Sequence, residues 1–114
     1  MYEKNGKGKE YNGYDDSLKF EGEYLNGKRN GKGKEYYPFN DDLMFEGEYL
    51  NGKRNGKGKE YKYGNLKFEG EYLKDEKNGK GKEYNHIGAL VFEGEYFYGK
   101  RWNGKIYDKG KNNI

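Results

Sequence analysis

Cysteine, threonine and glutamine are absent from this chain of 114 residues, and serine, histidine, proline and tryptophan occur once each. Without cysteine there is no disulfide framework and no thiolate metal site, an economy that suits a reducing cytoplasm. No apolar run reaches the length of a membrane-spanning helix, and no secretory leader opens the sequence. The single histidine, His86, and the single serine, Ser17, both fall in turn-like stretches. No nucleophile, base and orienting group can be assembled from them, so the sequence reads as non-enzymatic. Hydrophobic residues are also scarce, at 31% against 38% charged. Such a balance borders on disorder. Two features argue for a folded chain instead. The 23 cations and 20 anions nearly cancel to +3, and aromatics make up 18%, with fourteen tyrosines and six phenylalanines. Aromatic rings bury large areas each. The length supports one small domain.

What the sequence has in abundance is repetition. Phe20-Glu21-Gly22-Glu23-Tyr24 returns at Phe45, at Phe68 and at Phe92, with spacings of 25, 23 and 24 residues. A second phrase, Asn-Gly-Lys-Gly-Lys-Glu-Tyr, occurs at 5–11, 30–36, 55–61 and 78–84. A period in the twenties marks one supersecondary unit stacked in a row. The units are a partial repeat over 1–17 and repeats over about 18–42, 43–65, 66–89 and 90–114. The last of them is altered, as a cap would be.

Each unit reads as a β-hairpin. Leu18, Phe20, Gly22 and Tyr24 alternate onto one face, and Lys19, Glu21, Glu23 and Leu25 onto the other. Asn26-Gly27 is a strong hairpin-turn dipeptide because both residues tolerate positive φ. Asn30-Gly31 closes the loop, and a second strand runs from about Lys32 to Tyr36. Turn-rich links follow: Asn12 to Asp16, Asn40 to Asp42, Gly64-Asn65 and His86 to Gly88. The expected fold is all-β, an elongated single-layer antiparallel meander of stacked hairpins. With Gly22 opposite Gly33, Glu21 faces Lys34 and Glu23 faces Lys32, each pair worth a few tenths of a kcal/mol. The other face sets Phe20, Gly22 and Tyr24 across from Gly31 and Gly33. Strand glycines mark close approach, here by an aromatic ring of the neighbouring hairpin. The face taken by Tyr36, Tyr61 and Tyr84 depends on whether a bulge intervenes.

These residues resemble the MORN repeat (membrane occupation and recognition nexus): an aromatic-Glu-Gly-Glu-aromatic strand, an Asn-Gly-Lys loop, then Lys-Gly and an aromatic. Phe20, Gly22, Tyr24, Gly27, Gly31 and Gly33 fall on the family's positions, as do their equivalents. The resemblance covers four opening and five closing strands. Departures are Phe for the first Tyr, Tyr for Trp and a closing aromatic one residue late. The third loop, Lys74-Asp75-Glu76-Lys77, is acidic, and the last unit has an inserted residue near Trp102 and Ile106 in place of glycine. The resemblance implies a binding or scaffolding module in contact with proteins, in a cytoplasmic, membrane-adjacent or cytoskeletal setting, with no cofactor. Phospholipid binding is attributed to the family as well.

Two candidate surfaces follow. One is an aromatic groove for a protein or peptide, lined by Phe20, Tyr24, Phe45, Tyr49, Phe68, Tyr72, Phe92 and Tyr96. The other is a row of basic loops, Lys28, Arg29, Lys53, Arg54, Lys100 and Arg101, facing anionic headgroups at about 1 kcal/mol per charge. The repeated Glu pairs read as a solvated ladder rather than a glycosidase pair, which is singular and lies in a cleft. Asp15-Asp16 and Asp41-Asp42 lack EF-hand spacing, and the Gly-Lys-Gly-Lys stretches are neither a P-loop nor a dinucleotide fingerprint. Nucleic acid is disfavoured because glutamates stand among the lysines. The strand around Lys7 to Tyr11 is expected to present an edge that supports weak homodimers.

Overall fold

The computed structural model describes residues 5–108 and 112–113. The outer ends of the first and last sequence units lie outside the described residues. Nine strands form the body: β1 Gly6–Tyr11, β2 Leu18–Leu25, β3 Lys28–Tyr36, β4 Leu43–Leu50, β5 Lys53–Lys62, β6 Asn65–Leu73, β7 Glu76–Tyr84, β8 Leu90–Phe97 and β9 Lys100–Asp108. A two-residue strand, β10 Asn112–Asn113, pairs back onto β9. Strand order in the sheet equals sequence order, every pair is antiparallel, and the described residues contain no helix. The meander expected from the repeats is therefore the fold. It measures 53 × 28 × 18 Å.

Turn chemistry fixes the hairpins. Asn26 and Gly27 have φ of 53° and 79°, Asn51 and Gly52 of 51° and 88°, Tyr98 and Gly99 of 53° and 82°. Two left-handed residues in succession match the twist of the strands they join. The glycine-free third turn adopts the same shape, with Lys74 at 48° and Asp75 at 73°. Asp75 offsets that strain with its side chain: Oδ1 accepts the Arg54 N–H at 2.8 Å.

Register confirms Gly22 opposite Gly33 and Glu21 opposite Lys34. It corrects the rest of the hairpin. After Gly22 the pairing jumps to Tyr24 opposite Arg29, so Glu23 stands against three residues, Asn30, Gly31 and Lys32. The Glu23 carboxylate fills this bulge and accepts the Lys32 N–H at 3.0 Å. Gly31, at φ 107°, leaves the room it needs. Gly31 then faces Tyr49 of the next hairpin, not Tyr24 of its own. A second bulge recurs between hairpins: Glu35 pairs with Phe45 but Tyr36 with Leu43, leaving Met44 extra. The extra residue belongs to β4, so Tyr36 keeps its alternation and stays on the Glu/Lys face. Bulges of this kind increase bend and twist.

The hairpins lock to one another through their turns. The N–H groups of Gly52, Asp75 and Gly99 donate to the carbonyls of Arg29, Arg54 and Lys77 at 2.8, 2.9 and 3.0 Å. The side-chain oxygens of Asn5, Asn30 and Asn55 accept the N–H of Asn26, Asn51 and Lys74 at 2.9, 3.1 and 3.2 Å. The Asn of the closing phrase thus caps the turn of the following unit.

Candidate binding surface

The two faces of the sheet differ in kind. On one, the eight expected groove aromatics are buried: Phe20, Phe45 and Phe68 at 0%, Phe92 at 3%, and the four tyrosines at 4–7% exposure. They form one unbroken file. Each Phe meets the Tyr of its own strand at 5.5–5.7 Å between centroids, and Phe20, Phe45 and Phe68 meet the next unit's Tyr at 5.2 Å, all edge to face. Such pairs add about 0.5–1.5 kcal/mol beyond area burial. Rings lie over the strand glycines, but the nearest is the Phe of the same hairpin rather than a ring of the neighbouring one, whose Tyr reaches only the closing-strand glycines. A Cβ on Gly58 would stand 2.5 Å from the Phe45 ring of the same hairpin and 3.0 Å from Tyr72 of the next.

A belt of ions closes this face. Arg29 lies 4.1 Å over the Phe20 ring, Arg54 4.0 Å over Phe45, Lys77 4.2 Å over Phe68 and Arg101 4.6 Å over Phe92. Arg54 reaches Glu35 with two hydrogen bonds of 3.0 and 3.2 Å, and Arg29 holds Glu10 with two of 2.9 Å. Arg101 grips Glu83 in the same way. The hydroxyls of Tyr24, Tyr49, Tyr72 and Tyr96 donate to Glu10, Glu35, Glu60 and Glu83. Burial, and then the adjoining carboxylate, pushes the Tyr49 and Tyr72 phenols well above their usual range. Burial also pulls Glu35 upward, but Arg54, Tyr49 and Arg29 outweigh it and hold the carboxyl below its ordinary value.

Both sequence-derived surfaces are recast by this arrangement. The eight aromatics are the core, because a single-layer sheet of glycine-rich strands has no other apolar mass to fold around. Of the basic loops, only Lys28, Lys53 and Lys100 extend freely into solvent, while Arg29 and Arg54 are partly buried belt members and Arg101 shares their pairing. The role of Arg in the belt was not anticipated. The Glu that pairs with it was hidden in the closing phrase, where it reads as one more solvated charge.

The other face is a trough of about 1470 Å³ running across eight strands. Its floor is a line of glycines, one per strand. Its walls are Lys7 and Lys9, then Glu21 and Glu23, then Lys32 and Lys34, and so on to Glu93 and Glu95, so charge alternates strand by strand. Among the described residues, the ion pairs within 4.0 Å all belong to the belt, and none joins a trough lysine to a trough glutamate. The expected Glu–Lys ladder is present in register but its ions do not touch. Glu21 and Glu46 instead accept the Tyr36 and Tyr61 hydroxyls at 2.6 and 2.9 Å. Burial first, and the carboxylate second, raises those two phenols to about 12.

The family model of the MORN repeat matches residues 20–38, 45–65 and 68–88, more than half of the chain. The chain belongs to the MORN-repeat family. No curated protein matches it. MORN repeats are generally scaffold modules that bind proteins or membranes. The three matched stretches are the units that keep the full phrase. The last MORN hairpin departs from it, though not by the insertion expected near Trp102. Gly104 pairs with Gly94 and Ile106 with Phe92, the places that Gly33 and Glu35 hold in the second unit, so the stretch between the paired Arg and Gly is one residue shorter and holds only Trp102 and Asn103. Phe97, Tyr98 and Trp102 gather there in an exposed cluster, with centroids 4.4 and 6.0 Å apart. Among the described residues no three His, Asp or Glu side chains converge as a metal site would require, and no helix is long and apolar enough to cross a membrane.

Proposed function

We propose that this MORN array is a non-enzymatic scaffold that captures a protein segment in its glycine-floored trough. One observation carries the reading: the trough face presents lysines and glutamates that are not paired with each other, over bare backbone. The lysines are available to a partner, the glutamates keep charge there while also accepting hydrogen bonds from the bulge N–H groups and from Tyr36 and Tyr61, and the glycine line lets the partner approach closely. The eight buried aromatics support the site from behind by holding the floor in register. A photo-crosslinking amino acid at Lys34 or Lys57 should capture protein in extract from the source organism, and the same group at Lys28 or Lys53 should capture far less. Equal capture from the loop positions would contradict the trough.

A second reading, an anionic membrane surface, is favoured by the solvent-exposed Lys28, Lys53 and Lys100. It is the weaker one. Glu76 interrupts the row, and the arginines that would double its charge face the belt. A few lysines at about 1 kcal/mol each give marginal, salt-sensitive adsorption. Flotation with anionic vesicles that is lost in Lys28→Glu/Lys53→Glu, with no crosslinks from the trough, would reverse the preference.

A further inference from the structure

The trough carries a spatial code that restricts what can lie in it. Along each wall the sign of charge inverts at every strand, a step of about 4.8 Å. An extended strand brings same-face side chains round every ~6.7 Å, so it meets successive rungs only if tilted by roughly 44°, and over the ~34 Å spanned by the trough's strands that tilt carries it about 33 Å sideways, beyond the 28 Å width of the sheet. A polyproline helix returns to one face every ~9.3 Å, close to two rungs, so each face of it meets only one sign. An α-helix returns a side chain to the same side once per turn, every ~5.4 Å, and so meets every rung in succession. The remaining mismatch vanishes if the helix axis is tilted by roughly 27° to the array, since 5.4 Å then projects onto 4.8 Å.

That tilt makes a second, independent demand. Over about 40 Å a helix so inclined moves roughly 18 Å sideways, and it must leave the trough over opposite rims at its two ends. The sheet is 28 Å across in its second dimension. Exposed aromatic clusters, one of three rings and one of two, stand at two such corners. Phe97, Tyr98 and Trp102, exposed at 51, 72 and 69%, occupy the turn rim of the last hairpin. Tyr14 and Phe39, exposed at 88 and 74% with centroids 6.5 Å apart, occupy the link rim near the first strands.

Resting on the trough reading above, we infer that the partner is an α-helix lying obliquely in the trough, its charges alternating turn by turn, with apolar residues at each end on the two aromatic corners. Net-charged polymers are excluded by the same code, because each wall repels as many of their charges as it attracts.

Trp102 is the only tryptophan in the chain and sits in one of the proposed corners, so it reports binding directly. The probes are three 28-residue synthetic peptides without tryptophan. The first alternates Glu and Lys by helical turn with leucines near both ends. The second has the same composition with its acids and bases in separate blocks. The third carries two central prolines. The first should shift Trp102 emission to the blue, saturate, and gain ellipticity at 222 nm on binding. The other two should bind at least tenfold more weakly. Phe97→Ser should weaken the first peptide several-fold with the far-ultraviolet spectrum and the denaturation midpoint of the protein unchanged. If the proline peptide binds as tightly as the first, the helical partner is wrong while the trough reading stands. If the blocked peptide does, the charge code is wrong. If none binds while Lys34 and Lys57 still crosslink to protein, the helix is again wrong. Absence of those crosslinks, by contrast, removes the trough itself.

Discussion

Lys57 and Gly58 are neighbours on β5, yet they belong to opposite sides of a divided molecule. Gly58 is buried beneath Phe45 and Tyr72, on a face where aromatic rings, arginines and glutamates satisfy one another. Lys57 is exposed in the trough, where its charge meets no acid within 4.0 Å. Strand alternation alone separates them. The lesson is that one repeated phrase encodes two surfaces of different purpose. In each strand one set of alternate positions assembles the protein and the other set is left for something else. Charge is no guide to which is which, since both faces carry Glu and a cation in every unit.

The sharpest way to break this comparison is to place matched substitutions on the two faces. Gly58→Ala puts a methyl 2.5 Å from the Phe45 ring, too close for any real contact. It should cost about 1–3 kcal/mol in urea denaturation, whereas Lys57→Ala should stay within about 0.5 kcal/mol of the parent. Equal costs would erase the distinction between faces. Next in size is the Lys-Arg loop. Arg54→Ala removes two hydrogen bonds to Glu35 and uncovers Phe45, and should cost about 1.5–3 kcal/mol. Lys53→Ala, one residue away and exposed, should be nearly neutral. A smaller effect is expected at Asn55, whose Oδ1 caps the Lys74 turn. Asn55→Ala should lose about 0.5–1 kcal/mol, read as a lower denaturation midpoint.

Titration sharpens the comparison further, because the belt has both an acid and an alkaline limit, while the raised trough phenols bear on the alkaline one. Glu35 in the belt has its carboxyl held below the ordinary value. Its contribution is present above the unfolded carboxylate range and is lost as pH falls through the lower folded value. The trough phenols Tyr36 and Tyr61 are raised to about 12. Their contribution is complete below about 10 and fades as pH rises from there toward the folded value. Stability measured against pH should therefore show an acid limb that Arg54→Ala alters. It should also show an alkaline limb that Tyr36→Phe/Tyr61→Phe weakens without abolishing, because the belt phenols Tyr49 and Tyr72 are raised as well.

Much of the fold is legible in the sequence for a plain reason. Asn26-Gly27 and Asn51-Gly52 dictate two-residue turns, Phe and Tyr alternate at period two, and the spacing of the phrase fixes which glycines meet. The bulge at Glu23 was not legible, since its cause is a side chain capping a backbone N–H three positions into the opposite strand. Nor was the sense of the two faces. A row of Tyr and Phe reads equally as core or as docking surface when no aliphatic residues compete for the interior. The decisive clue was available but ambiguous: the Glu of Lys-Gly-Lys-Glu-Tyr shares a face with the rings, while the two lysines before it do not. Trp102 shows the reverse case. Its anomaly was plain in the sequence, but only the register shows that it stands in a shortened bulge between Arg101 and Gly104.

The central claim is that the aromatic file is closed and the opposite face is open. Hydroxyl-radical footprinting of the folded protein tests this most directly, residue by residue. Phe45, Tyr49, Phe68 and Tyr72 should be protected, while Leu50, Tyr63 and Trp102, at 50, 78 and 69% exposure, should be labelled readily. Labelling of Tyr49 and Tyr72 at the rate of Tyr63 would contradict the account, since it would mean that the rings face solvent and that the groove lies on the other side of the sheet.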